Sequence, residues 1–158
     1  MDIYMTLKTI HILSSTILFG TGLGIAFFMF RSYFTSDLTQ KLYAAKNTVL
    51  ADYTFTLPAV ILQPVTGIGL IHLSGYEWNE PWLLATYGVY IIAGACWLPV
   101  VWLQIQMKNL VEQAVKNKTP LPKQYHTYFK FWFILGWPAF LGLVGVFYLM
   151  TAKPYLWS

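Results

Sequence analysis

The sequence predicts an all-α fold: a polytopic membrane protein whose four transmembrane helices form one bundle. Three observations predict it. Only 10% of the residues are charged and 57% are apolar, whereas a water-facing surface needs about a quarter charged. Four stretches reach the length of about twenty apolar residues that a bilayer crossing requires. Eight of the ten Lys and Arg residues fall in two of the three connections between those stretches, the pattern that marks cytoplasmic loops. At 158 residues the chain is expected to be a single membrane domain over 1–158.

The first span is expected over Ile3–Phe30. Its apolar run is too long for a signal-peptide core and no small-x-small cleavage site follows, so it should stay in the mature protein. Side chains advance about 100° per residue on a helix. Lys8, His11, Ser14, Ser15, Leu18 and Gly22 therefore share one stripe, small and polar enough to pack inside a bundle. Gly20 and Gly24 point elsewhere and offer a seat to a neighbouring helix or a second copy. The second span, Thr48–Leu73, aligns Asp52, Thr56, Ala59, Gln63, Gly67 and Leu70, with Pro58 and Pro64 interrupting its hydrogen-bond ladder. The third, Trp82–Gln106, aligns Thr86, Tyr90, Ala93, Trp97, Val100 and Gln104. The fourth, Phe129–Met150, has no charged residue after Lys130 and reads as scaffold, with Gly136, Gly142 and Gly145 allowing close approach.

The connection 31–47 carries Arg31, Lys41 and Lys46, and 107–130 carries Lys108, Lys116, Lys118, Lys123 and Lys130. Both are expected in the cytoplasm, with the termini and the acidic 72–81 hairpin outside a bacterial plasma membrane. The net charge of +4 is thus a topology signal. No basic-aromatic nucleic-acid motif accompanies it. Tyr76, Trp78, Trp82, Tyr155 and Trp157 should form the outer aromatic belt, and Tyr125, Tyr128 and Trp132 the inner one. The one cysteine, Cys96, excludes an internal disulfide and a cysteine metal cage and reads as packing.

The candidate functional residues gather at the outer rim. His11 precedes Arg31 by twenty residues, about 30 Å along a helix at 1.5 Å per residue. His72 lies at the same depth but about 180° from its helix's polar stripe, so water, Tyr87 or Tyr90 is the expected neighbour of His11. His126 belongs to the opposite boundary. Asp52 faces inward near the inner boundary, solvated there or paired with Lys46; a transport role for it has no inverted repeat to support it. No Ser/His/Asp constellation, paired carboxylate, HExxH motif or phosphate-cradling loop is present, and no catalytic residue is assigned.

The stretches "LKTIHILSSTILFGTGLG", "ADYTFTLPAVILQPVTG" and "ILGWPAFLGLVGVFYLM" resemble the bacterial membrane-protein family called domain of unknown function 2269, over nearly the whole chain. In plan the chain is also similar to HemJ-like protoporphyrinogen oxidases and CopD-like copper proteins, whose first helix opens with a comparable Lys-x-x-His. That likeness implies haem b with His11 as axial ligand, Lys8 meeting a propionate, Ser15 or Ser14 orienting the ring, and His72 as second metal candidate. Thr86 and Trp97 stand where the HemJ-like third helix has a lysine and a histidine. Threonine carries no charge and tryptophan has no lone pair for iron, so haem binding is implied without the oxidase reaction. Copper lacks enough soft or imidazole ligands here. Two functional expectations follow: a haem-binding redox or electron-transfer subunit in a membrane complex or homo-oligomer, or a cofactor-free assembly factor, partner subunit or small-molecule conduit.

Overall fold

The structure, a computed structural model, describes residues 2–156. Trp157, expected in the outer belt, lies outside the described residues. Four long helices make up the described chain: α1 (Ile3–Tyr33), α2 (Leu38–Ser74), α3 (Pro81–Asn117) and α4 (Lys123–Ala152). Each is long and apolar enough to cross a membrane, and the fold is all-α.

The helices outrun the apolar spans at the basic end. α2 begins at Leu38 rather than Thr48, α3 runs to Asn117 rather than Gln106, and α4 starts at Lys123 rather than Phe129. Hydropathy marks where lipid stops; helicity persists while a packing face and good caps remain. Asp37 supplies one cap, accepting from the Thr39 and Gln40 backbone N–H groups at 2.8 and 3.4 Å. At the end of α1, Lys41 reaches back to donate to the Ser32 and Tyr33 carbonyls at 2.8 and 2.6 Å. These are carbonyls of the last turn, beyond the regular helix ladder; the Ser32 carbonyl also accepts from the Thr35 N–H at 3.3 Å. Lys118 ends α3 in a left-handed conformation, φ 52°, and Pro120 and Pro122 keep the short link to α4 extended. Gly75, φ 70°, turns the chain out of α2 at the hairpin end, where a side chain would strain.

The main core lies at the basic end and is built by those extensions. Met29, Ala45, Leu103, Met107, Val111, Tyr125, Phe129 and Trp132 pack together there. Tyr125 and Trp132 are thus core residues, not belt residues: the early start of α4 brings Tyr125 inward, and packing holds Trp132 there. A smaller core at the hairpin end joins Ile71, Trp82 and Leu83, so Trp82 also leaves the expected outer belt, while Trp78 and Tyr155 are exposed.

Two pairings dominate. α3 lies along α4, where a Cβ on Gly142 would stand 3.0 Å from that of Ala93; small residues permit that approach. α1 lies along α2, with Gly67 against the His11 ring and Gly69 against Leu7. α1 and α4 meet chiefly through aromatic rings at two levels. Phe19 stacks on Phe140 at 5.1 Å nearer the hairpin end, and Tyr33 stacks on Phe129 at 3.9 Å nearer the basic end. Between those levels α1 and α4 leave a gap lined by small residues.

Candidate functional site

α1 and α2 are tied by a polar node at His11. Gln63 Nε2 donates to the His11 carbonyl at 2.8 Å and to Ser14 Oγ at 2.6 Å. His11 Nδ1 lies 2.7 Å from Thr66 Oγ1, which lies 2.6 Å from the Leu62 carbonyl. That carbonyl can only accept, so the arrangement that satisfies both short contacts puts the Thr66 hydroxyl hydrogen on it and has Nδ1 donate to Thr66. This assigns the Nδ1–H tautomer when His11 is neutral and leaves the lone pair on Nε2.

The other expected members of this site are arranged differently. Ser14 is buried within the node, but Thr66, not a serine, orients the ring. Ser15 donates to its own helix at the Ile12 carbonyl, 2.7 Å away. Lys8 is exposed and lies over the Tyr4 ring at 5.7 Å. His72 is exposed, as its azimuth implied. His126 Nδ1 pairs with the Tyr33 hydroxyl at 3.0 Å at the basic end. Tyr90, expected beside His11, instead donates to the Val60 carbonyl at 2.7 Å. Pro64 stands four residues after Val60 and has no N–H, so it leaves that carbonyl free and a neighbouring helix completes it. Among the described residues no group of three or more His, Cys, Asp or Glu side chains converges on a metal position.

Between the two aromatic levels lies an apolar chamber of about 360 Å³. Small residues create it: Gly22 and Ala26 on α1, Ala93 and Gly94 on α3, Gly136 and Ala139 on α4. A Cβ built on Gly22 or Gly136 meets nothing within 4 Å. Phe27 on α1 and Trp137 on α4 line it and are also exposed, so the chamber wall between these helices is also the bundle's outer surface.

The basic end of the chamber is polar. Asp52, 2% exposed, sits there with Thr56, 3% exposed, and Gln104. The Gln104 amide is oriented by its neighbours: nitrogen toward Asp52 Oδ2 at 2.5 Å, oxygen accepting from the Trp132 indole N–H at 3.2 Å. The Trp97 indole flanks the same carboxyl, and Thr56 Oγ1 stands beside it without completing a hydrogen bond. Asp52 opens a π-helical turn, Asp52–Thr56, just before Pro58. The proline ring and missing N–H disrupt the ladder there, and the widened turn absorbs the mismatch. Lys46 does not neutralise the acid; it pairs with Glu112 at 2.8 Å on the surface.

Most of the third stripe, from Tyr90 to Gln104, lines the chamber, whereas the second divides: Asp52 and Thr56 reach the chamber, and Gln63 and Gly67 face the His11 node instead. Thr66 was missed, although it lies three residues after Gln63 and so beside it on the helix. The chamber itself was missed because it exists only where small residues of three helices face one another.

Fold and chamber together define the class: a small polytopic membrane bundle with a ligand-sized hollow between its helices. Residues 5–154 match the model of the family described as predicted integral membrane protein, DUF2269, and the chain belongs to that family. No curated protein and no solved structure matches the chain. Neither finding bears on the likeness to HemJ-like and CopD-like proteins.

Proposed function

We propose that this is a non-enzymatic binding protein of the bilayer, holding a lipophilic small molecule in the chamber between its helices. One observation carries the reading: an apolar hollow of about 360 Å³, enclosed by helices apolar enough to cross a membrane, ends on a buried carboxyl. That volume is in the range of small-molecule pockets. A helical seam ordinarily closes to interior packing density, because an unfilled gap forfeits dispersion contacts. An ionisable group inside a membrane segment is likewise costly and marks a functional position. The molecule enters from the lipid between α1 and α4. The address in this reading is a bacterial plasma membrane, basic end in the cytoplasm, termini and the 72–81 hairpin outside; the clustering of basic residues supports it.

The test uses the full chain in zwitterionic nanodiscs, with 10-bromodecan-1-ol quenching tryptophan fluorescence at close range. Trp97, Trp132 and Trp137 line the chamber. Saturable quenching is expected, and Gly22→Leu or Gly136→Phe should abolish the saturable part. Equal quenching in all three proteins defeats the reading.

A second reading is favoured by the tautomer of His11: an Nδ1–H held by a neighbour and a free Nε2 lone pair is the usual arrangement of a haem-ligating histidine. In it the protein is a redox or electron-transfer subunit binding haem b through His11. Its partner is a membrane redox complex or a second copy, for which the Gly20–Gly24 face of α1 is open. The fit is to the iron rather than to the porphyrin, since Lys8 and Ser15 turn away and His11 does not line the chamber. Haem would supply one-electron chemistry. A Soret band in the purified protein, lost in His11→Ala, is expected; a colourless preparation from cells fed a haem precursor would end this reading.

A further inference from the structure

We propose that the polar end of the chamber selects a lipophilic ammonium, with the cationic head against Asp52 and Thr56 and the tail lying toward the gap between α1 and α4. The proposal rests on the reading of the chamber as a ligand site and names the chemistry that site recognises. Its first support is charge. Asp52 is the one acidic or basic residue in the chamber lining, and burial favours its neutral form until a cation joins it. The nearby lysines are engaged elsewhere, Lys46 with Glu112 and Lys41 with the end of α1. A buried carboxylate without a partner cation is strongly disfavoured in lipid, and a bound cation removes that cost.

The second support is hydrogen-bond capacity. Gln104 satisfies one carboxyl oxygen of Asp52, and its own oxygen is taken by Trp132. The Thr56 hydroxyl, on a side chain only 3% exposed and lining the chamber, and the Trp97 indole both face the carboxyl as donors, and the lone pairs of Thr56 Oγ1 accept from no other group. A carboxylate and a hydroxyl side by side offer acceptors to a group that only donates, as an ammonium does. An incoming carboxylate would find like charge and no cation. The third support is the wall: the indoles of Trp97 and Trp132 lie at that end, beside Asp52 and Gln104, and aromatic rings attract cations most where water is excluded.

The experiment displaces 10-bromodecan-1-ol from the full chain in zwitterionic nanodiscs with decylamine, decan-1-ol or decanoate at neutral pH. The three share a tail and differ in head. Decylamine is expected to displace the probe at a concentration at least about tenfold below decan-1-ol, the lower limit for gaining a hydrogen bond to a charged group. Decanoate is expected to be the weakest. In Asp52→Asn the amine-over-alcohol ratio should collapse to below about threefold, the isosteric amide retaining shape without charge. Should that variant not fold, Thr56→Val is read instead, with a reduced ratio expected. Equal displacement by amine and alcohol in the native protein overturns the proposal while leaving a lipophile-binding chamber intact, and so does a ratio that survives both substitutions. Absence of saturable probe binding overturns the chamber and the proposal together.

Discussion

Replacing Lys41 by methionine separates two jobs that a basic residue can do in a membrane protein. Lys41 is counted among the charges that orient the chain, yet it is only 6% exposed. Its ammonium donates to the Ser32 and Tyr33 carbonyls at 2.8 and 2.6 Å and lies over the Tyr33 and Tyr125 rings at 5.5 and 5.8 Å. Methionine retains the apolar stem and loses both bonds. Each charge-assisted hydrogen bond is worth about 1.5–3 kcal/mol, and the desolvation of the ammonium offsets part of the sum. The cation–π contacts add about 0.5–1 kcal/mol. The expected net loss is about 2–4 kcal/mol, since the Tyr33 carbonyl loses its donor and the Ser32 carbonyl keeps only the Thr35 N–H at 3.3 Å. The assay is reversible unfolding in mixed micelles followed by tryptophan emission, with Lys41→Arg and Lys46→Met alongside. Lys46→Met should leave stability close to native, because its partner Glu112 is a surface residue. A Lys41→Met protein as stable as Lys46→Met would refute the capping argument.

Three further substitutions test the helix contacts. Gln63→Leu removes both bonds to α1, and a loss of about 1 kcal/mol is expected from the modest worth of interhelical hydrogen bonds in lipid; a double-mutant cycle with Ser14→Ala in the same unfolding assay reads the coupling. Tyr90→Phe strands the Val60 carbonyl beside Pro64, at a cost of about 1–2 kcal/mol, and amide exchange in the turn around Pro64 should quicken. Gly142→Val drives a side chain into Ala93 and should destabilise by about 1–3 kcal/mol; Ala93→Gly in the same chain should recover much of that loss, measured by the unfolding midpoint.

How much of this was legible in the sequence depends on whether one helix or several carry the information. Of the stripe Thr86, Tyr90, Ala93, Trp97, Val100 and Gln104, Tyr90 and Trp97 are half-buried and the rest buried, because a single helix fixes which residues share a face. Asp52 and Thr56 follow the same rule. The helix ends at Leu38 and Asn117 were not legible from hydropathy, which reports on lipid contact and is silent on capped helix in water. The same holds for Tyr125, which the early start of α4 brings into the basic-end core, while Trp132, already inside the apolar span, is held there by packing and by its bond to Gln104. The neighbour of His11 was beyond reach in a different way. Choosing Thr66 over Tyr90 requires the relative rotation of α1, α2 and α3, and Tyr90 is drawn away by a carbonyl that Pro64 frees.

The prolines connect these observations. Pro58 and Pro64 each deprive α2 of a backbone donor, and the two defects are resolved differently. At Pro64 a side chain from α3 completes the stranded carbonyl, which locks the upper half of α2 to its neighbour and leaves the His11 node well satisfied. At Pro58 the helix widens instead, and the widened turn carries Asp52 and Thr56 at its two ends. π-helical turns cost regular hydrogen bonding and are found mostly where function holds them. Here the turn presents an acid and an unpartnered hydroxyl to a hollow that the packing leaves open. A node whose polar atoms are mostly paired stabilises a helix pair. A polar end that combines a buried carboxyl with an incompletely bonded hydroxyl is the less satisfied of the two, and for that reason the proposed binding function rests on the chamber more than on the histidine.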